Sequence, residues 1–254
     1  MFDDLAGKVA VVSGGARGLG YEMASALASQ GCQIALLDLL DASDSATKLA
    51  QQYDVQTTSA HCDVTDPESV AAAVESAVDA LGTPQVLVNA AGIAVHKDAL
   101  ELAPDEWRRV IDINLNGLFF VSQAVGRQVV DAGGTASFIN IASMSAFAVN
   151  IPQRQASYNA SKAGVEQLTR SLAIEWIDKG IRVNAISPGY FRSQMTAQFI
   201  DDNPDMGKFW IERIPAGRMG EPEDLDGVTV FLASDASKYV VGEVIVIDGG
   251  YTIV

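Results

Sequence analysis

Tyr158 and Lys162 are the residues of this chain whose types and spacing most directly suggest chemistry. They bracket Tyr158-Asn159-Ala160-Ser161-Lys162, and on a helix residues at i and i+4 share one face. A free phenol has a pKa near 10, too high for a useful base at neutral pH. A neighbouring cation stabilises the phenolate and brings that value toward the working range. Such a phenol takes the proton of an alcohol or returns one to a ketone. Alone the pair is a weak signal, because Tyr-xxx-Lys arises by chance on many helices. Its weight depends on what the rest of the chain brings near it.

A second group of residues could hold a dinucleotide. Ser13-Gly14-Gly15-Ala16-Arg17-Gly18-Leu19-Gly20 follows a short β-branched run and opens a helical pattern. Gly14, Gly18 and Gly20 permit a tight turn, and the helix N-terminus behind them offers free N–H groups to a pyrophosphate. The string joins the first strand to the first helix, where a dinucleotide fold needs it, although Gly-xxx-Gly-x-Gly differs from the commoner Gly-x-Gly-xx-Gly. Asp38 ends the second strand, 18 residues beyond Gly20. A carboxylate there can accept hydrogen bonds from both adenosine ribose hydroxyls and would repel a 2′-phosphate. Leu39 and Leu40 follow, with no arginine or lysine to receive that phosphate, so NAD is expected over NADP. Arg17 is the opposing detail, since a basic side chain in the glycine loop could reach a phosphate. Asp63, beside Val64 at the end of the third strand, could bond the adenine amino group. Asn89-Ala90-Ala91-Gly92 closes the fourth with small residues that let backbone pass close to a ligand.

The elements that must position these residues alternate along the chain. Strand-like runs cover residues 8–13, 33–38, 55–61, 85–89, 136–141, 181–186 and 243–247. Helical patterns lie at about 19–29, up to about 53, after Asp66-Pro67, over 104–131, over 157–179 and after Glu221-Pro222. The strands read as near-continuous apolar runs, as parallel strands covered on both faces do. Seven of them separated by helices predict an α/β fold, a Rossmann-type doubly wound parallel sheet with helices on both faces. Neither a linker nor a repeat divides residues 1–254, so one domain is expected to bind the dinucleotide and catalyse. Residues 187–220 are irregular, with Pro188-Gly189, Pro204, Pro215 and exposed-looking Phe199, Phe209 and Trp210. That mix suggests a substrate lid around 190–215, or else a surface excursion or subunit contact.

Composition narrows the function classes. A net charge of −15 argues against nucleic acid and anionic membranes as partners, both of which need a positive face. With 48% hydrophobic and 19% charged residues the chain can bury a large core. Met1-Phe2-Asp3-Asp4 lacks the basic flank of a signal peptide, and no apolar stretch reaches the roughly 20 residues of a membrane helix. Cys32 and Cys62 read as free, packed thiols, which fits a cytoplasmic protein. His61 and His96 lie far apart without ligand spacing, so no metal is expected. Trp107 and Trp176 fall on helical patterns and read as packing residues.

Gly14-xxx-Gly18-x-Gly20, Asp63, Asn89-Ala-Ala-Gly92, Asn114, Ser143, Tyr158-xxx-Lys162 and Pro188-Gly189 stand in the order and approximate spacing of the short-chain dehydrogenase/reductase family. The chain resembles that family from Gly7 to the closing Asp248-Gly249-Gly250. The resemblance implies an oxidoreductase in which Tyr158 is the acid–base residue and Lys162 lowers its pKa and holds the nicotinamide ribose. It implies that Ser143 orients the substrate oxygen and that Asn114 supports a water linked to Lys162. Pro188, Gly189 and Ser193 would line the nicotinamide carboxamide, Ser193 standing where the family usually has threonine. The family often places its serine 13 residues before the tyrosine, which would be Ser145, yet Asn140-Ile141-Ala142-Ser143 has the usual strand-end context. Ser143 is therefore expected to be catalytic and Ser145 to be a second hydroxyl in the pocket. Residues 143–162 and the ending Asp-Gly-Gly-Tyr251-Thr252 look most like the polyol and sugar-alcohol dehydrogenases of the family. Asn150, Gln153 and Gln155 would then offer hydrogen bonds to a hydroxylated substrate. A general carbonyl reductase or a 3-oxoacyl-thioester reductase stays open. A non-catalytic dinucleotide sensor fits less well because tyrosine, lysine and serine are all present. An epimerase or dehydratase would need a longer C-terminal region. The family's usual homotetramer would bury faces of the helices at 104–131 and 157–179.

Overall fold

The apolar runs become seven strands in a computed structural model that describes residues 2–192, 200 and 204–254. They are β1 (Val9–Ser13), β2 (Gln33–Asp38), β3 (Thr57–His61), β4 (Val86–Asn89), β5 (Ala136–Ile141), β6 (Ile181–Pro188) and β7 (Val244–Ile247). Their order is β3-β2-β1-β4-β5-β6-β7, and every neighbouring pair is parallel. The order reverses between β1 and β4, and open α/β sheets bind ligands in the crevice beyond the strand ends at such a point.

Alternation along each strand divides the core into two layers. Val12, Leu36, Val88 and Ile139 face one layer, with Met23 and Leu27 of α1 (Gly18–Ser29), Leu49 of α2 (Ser43–Tyr53) and Leu232 of α8 (Asp226–Ala233). Val11, Leu37, Leu87 and Phe138 face the other, with Val74 of α3 (Pro67–Leu81), Val125 of α5 (Leu118–Asp131) and Leu172 of α6 (Ala156–Trp176). β1, β4 and β5 are buried throughout, as continuous apolar runs require. β3 departs from that expectation. Its Thr57-Thr58-Ser59-Ala60-His61 is only half-buried, because an edge strand has a neighbour on one side alone.

Local signals explain the helix ends. Asp66 caps α3 by accepting from the Glu68 amide at 3.0 Å, and Pro67 fills the first helical position, where a missing N–H costs nothing. The long helical region at 104–131 is three pieces: α4 (Pro104–Ile111), a π-helical turn (Asp112–Gly117) and α5. The π turn carries Asn114, fully buried, toward the strand ends.

Trp176 packs edge-on to Phe138 at 6.0 Å, whereas Trp107 stays 40% exposed, contrary to a packing role. Trp210, which reads as exposed, is 2% exposed on α7 (Pro204–Arg213) and stacks on Tyr190 at 4.4 Å. Phe199 lies outside the described residues. Cys32 and Cys62 are free and buried, and burial pushes both thiols up to about 12. Among the described residues no helix is long and apolar enough to cross a membrane, and no group of acidic, histidine or cysteine side chains is arranged to hold a metal.

Candidate active site

Tyr158 stands in the first turn of α6 and Lys162 one turn further on. The Lys162 ammonium donates to the carbonyl of Ile141, at the end of β5, at 2.6 Å and lies 5.7 Å from the centroid of the Tyr158 ring. Desolvation pulls this lysine down to about 8, since a buried ammonium loses its hydration. Burial raises the Tyr158 phenol above its ordinary value, and a hydrogen bond with the Ser143 side chain acts in the opposite direction. Three backbone segments meet here. A Cβ on Gly92 would sit 3.6 Å from Lys162 Nζ and 3.3 Å from Asn114 Oδ1.

Asn114 spends its amide on that junction. Nδ2 donates to the Ile93 carbonyl at 2.9 Å and to Ser161 Oγ at 3.0 Å, while Oδ1 accepts from the Ile93 amide at 2.8 Å. It therefore ties the exit of β4 to α6, directly behind the tyrosine–lysine turn.

Ser143, just beyond β5, is the serine that reaches Tyr158. Its oxygen also accepts from the Ser145 amide at 3.2 Å. The Ser145 hydroxyl turns elsewhere, donating to Asn150 Oδ1 at 2.6 Å and accepting from Gln155 Nε2 at 3.2 Å. Asn150 is 2% exposed and donates to the Tyr190 hydroxyl at 3.0 Å, so its side chain is built into the wall of the site. Gln153 donates to the same hydroxyl at 3.0 Å and accepts from Trp210 Nε1 at 3.2 Å, which links the loop at 150–155 to α7. Tyr190 went unnoticed in the sequence, Trp210 was read as exposed, and His96 was weighed only as a metal ligand. Tyr190 had one available signal, its place directly after Pro188-Gly189 at a strand end.

The glycine loop is built by close backbone approach. A Cβ on Gly14 would lie 2.5 Å from the Ala91 amide nitrogen, and one on Gly20 would lie 2.2 Å from the Gly14 carbonyl oxygen. Gly18 adopts φ +63°, with nothing within 4 Å of its Cβ direction, at the head of α1 beside Arg17 and Leu19. The Asp38 carboxylate accepts from the Ala16 amide at 2.9 Å and from the Leu40 amide at 2.9 Å, so it is pinned against the loop. Asp63 accepts from the Thr65 amide and hydroxyl at 2.9 and 2.7 Å, and these bonds hold it below the usual carboxylate range. Val64 fits the space left by Gly117.

Asn89 ends β4 with its side chain turned into the sheet. Its side chain is 2% exposed and donates to Ser122 Oγ and Asn140 Oδ1, both at 2.9 Å, inside the sheet. Ala90, its neighbour, carries the strand end past the glycine loop by donating its amide to Ser13 at 3.0 Å. Pro188 pairs with Ile247, and Gly189 is needed because a Cβ would lie 2.7 Å from Asp248 Cα. Ser193 lies outside the described residues. A cradle that rejects side chains, a helix N-terminus and a carboxylate one strand away suit a dinucleotide at the reversal of strand order.

A family model described as enoyl-(acyl carrier protein) reductase matches residues 14–252. The chain is 41% identical over 250 residues to a galactitol 2-dehydrogenase (L-tagatose-forming) of Cereibacter sphaeroides, covering 98% of this chain and 96% of that protein. It is 43% identical over 248 residues to a 2-dehydro-3-deoxy-D-gluconate 5-dehydrogenase of Dickeya dadantii, with the same 98% and 96% coverage. Among solved structures, the NADPH-dependent 3-quinuclidinone reductase of Rhodotorula rubra superposes with a TM-score of 0.92 at 33% identity, over 100% of this chain and 95% of that one. With the motif residues gathered at the carboxyl ends of β1, β4, β5 and β6, these matches identify the chain as a member of the short-chain dehydrogenase/reductase family.

Proposed function

We propose that the protein is an NAD(H)-dependent dehydrogenase that interconverts a secondary alcohol of a polyol or sugar alcohol and the matching ketone, with Tyr158 as acid and base. The observation that carries this reading is the Tyr158 hydroxyl bonded to Ser143, with the Lys162 ammonium held at the end of β5 and 5.7 Å from the centre of the same ring. A bound nicotinamide dinucleotide supplies the hydride acceptor or donor. Gly14, Arg17, Gly18, Leu19, Gly20, Asp38, Asp63, Val64, Asn89, Ala90, Gly92, Pro188, Gly189 and Ser193 are the residues assigned to hold it. Lys162 sets the phenol's acidity, Ser143 holds the substrate oxygen, and Asn114 fixes the turn behind them. Tyr158 then takes the hydroxyl proton in oxidation or returns it in reduction.

Ser143→Ala is expected to lower kcat by about a hundredfold, the usual loss for one donor at a reacting oxygen. Ser145→Ala, at the hydroxyl bonded to buried Asn150, should mainly lower the melting temperature. Steady-state rates and thermal melts of the two variants separate these roles.

For NAD the support is Asp38, whose pinned carboxylate would meet a 2′-phosphate with like charge. Arg17 and the NADPH-dependent relative point the other way. With a panel of polyols, diols and cyclic ketones, NAD should give kcat/KM about tenfold or more above NADP, and Asp38→Ala should shrink that ratio. A wild-type preference for NADP would overturn the role of Asp38. A 3-oxoacyl-thioester reductase is the second reading; the family model's description shares its acyl substrate but names reduction of an enoyl group, not of a ketone. A subunit contact in a cytoplasmic homotetramer is supported by apolar residues exposed on the expected helices, Trp107, Val130 and Ile174. A substrate cover around 190–215 is supported by α7, whose Trp210 packs on Tyr190.

A further inference from the structure

If the reacting carbon of a polyol lies at Tyr158 and Ser143, the remainder of its hydroxylated chain must occupy space beside them. A cavity of about 360 Å³ is lined by His96, Lys97, Asp98, Glu101, Gln153, Arg154 and Met206, none of them in the catalytic group itself. Two side-chain relays join its wall to the site. Gln153 shares the Tyr190 hydroxyl with Asn150, which binds Ser145, and His96 is hydrogen-bonded to Gln155, which also binds Ser145. The two walls are clamped by the Lys97 amide, which donates to the Arg154 carbonyl at 2.8 Å.

The charges of this cavity are arranged against an anion. Lys97 is bridged to Glu106 at 2.8 Å, and Glu106 also accepts from the Ala103 amide at 2.8 Å. Arg154 is bridged to Asp98 at 2.6 Å, and Asp98 accepts from the Leu100 amide at 2.9 Å. Each cation therefore already faces a carboxylate that is itself tethered to backbone. Glu101 adds a further negative charge on the wall. Desolvation holds His96 below its ordinary pKa, which disfavours the charged imidazolium. A substrate carboxylate would have to compete with Asp98 and Glu106 for cations that are already paired, within the field of a chain of net charge −15. Hydroxyl groups meet no such barrier, because they carry no charge and can both donate and accept.

We infer that this cavity is the subsite for the distal, uncharged hydroxyl chain of the substrate, and that the enzyme selects polyols and ketoses over the corresponding sugar acids. The inference rests on the alcohol-dehydrogenase reading above and deepens it by choosing between the two substrate classes that its relatives' names represent.

The test compares galactitol and sorbitol with galactonate and gluconate, using the full chain with NAD and with NADP at low and high salt. The polyols should show kcat/KM at least about tenfold higher, with the gap narrowing as salt screens the repulsion. Glu101→Lys, a substitution at an exposed position, should raise the aldonate-to-polyol ratio of kcat/KM by about threefold to tenfold. Aldonates turned over as well as polyols, or a ratio unmoved by Glu101→Lys, would overturn the inference and leave the dehydrogenase reading intact. Turnover of simple secondary alcohols but of neither sugar class would remove the polyol reading, and the inference with it.

Discussion

Tyr158→Phe is expected to lower kcat in both directions by about three orders of magnitude, while dinucleotide affinity stays within about threefold of wild type. The substitution keeps the ring that sits beside Lys162 and removes only the hydroxyl that meets Ser143. Ser143 cannot replace it, because an aliphatic hydroxyl is far too weak an acid to release its proton near neutral pH. The cradle at Gly14, Gly18 and Gly20 is formed by other elements, so binding should survive. Rates from the nicotinamide absorbance band and a fluorescence titration of the dinucleotide separate the two quantities. Turnover retained by the Phe variant would remove Tyr158 as the proton-transfer group.

Lys162→Met is expected to cost about a hundredfold to a thousandfold in kcat, because the phenol then has no fixed cation beside it. Its effect on stability should run the other way. The folded protein holds this lysine at about 8 against an ordinary 10.5, and desolvation is the cause. A lysine whose folded value is depressed binds its proton less tightly when folded than when unfolded. The cost of burying its charge is therefore present in full below about pH 8 and disappears as pH rises past the unfolded value. Methionine removes that cost but also the bond to the Ile141 carbonyl, so the two changes oppose each other. The variant should melt no earlier than wild type at pH 7, and wild type should gain on it between about pH 8 and 10. Thermal melts over that range check the sign. An early melt together with lost activity would make Lys162 a structural residue.

Much of the fold was legible because parallel strands covered on both sides need apolar residues at successive positions. That rule holds for β1, β4 and β5, buried along their whole length. It misses the character of β3, where an edge strand tolerates Thr57, Thr58 and Ser59. The π turn at Asp112–Gly117 was invisible, since a one-residue change in helical winding has no residue-type signature, yet it brings Asn114 to Ile93 and Ser161. The motif residues were legible as types, and their partners less so. Asn150 was read as a ligand contact because polar residues near a site look alike in sequence. In the folded chain it is 2% exposed and bonded to other side chains. Spacing left Ser143 and Ser145 as alternatives, and the contact with Tyr158 falls to Ser143. His96 was set aside for want of a metal-ligand partner, although its place is in the wall of a polar cavity.

The central claim is that one phenol, acidified by one ammonium, exchanges the proton of the reacting oxygen. The most direct measurement is the pH profile of kcat/KM for alcohol oxidation in wild type and in Lys162→Met. The rate should rise with pH through a single ionisation, and that ionisation should move up by at least about one pH unit in the variant, toward the value of an ordinary phenol. The same ionisation in both proteins would contradict the account.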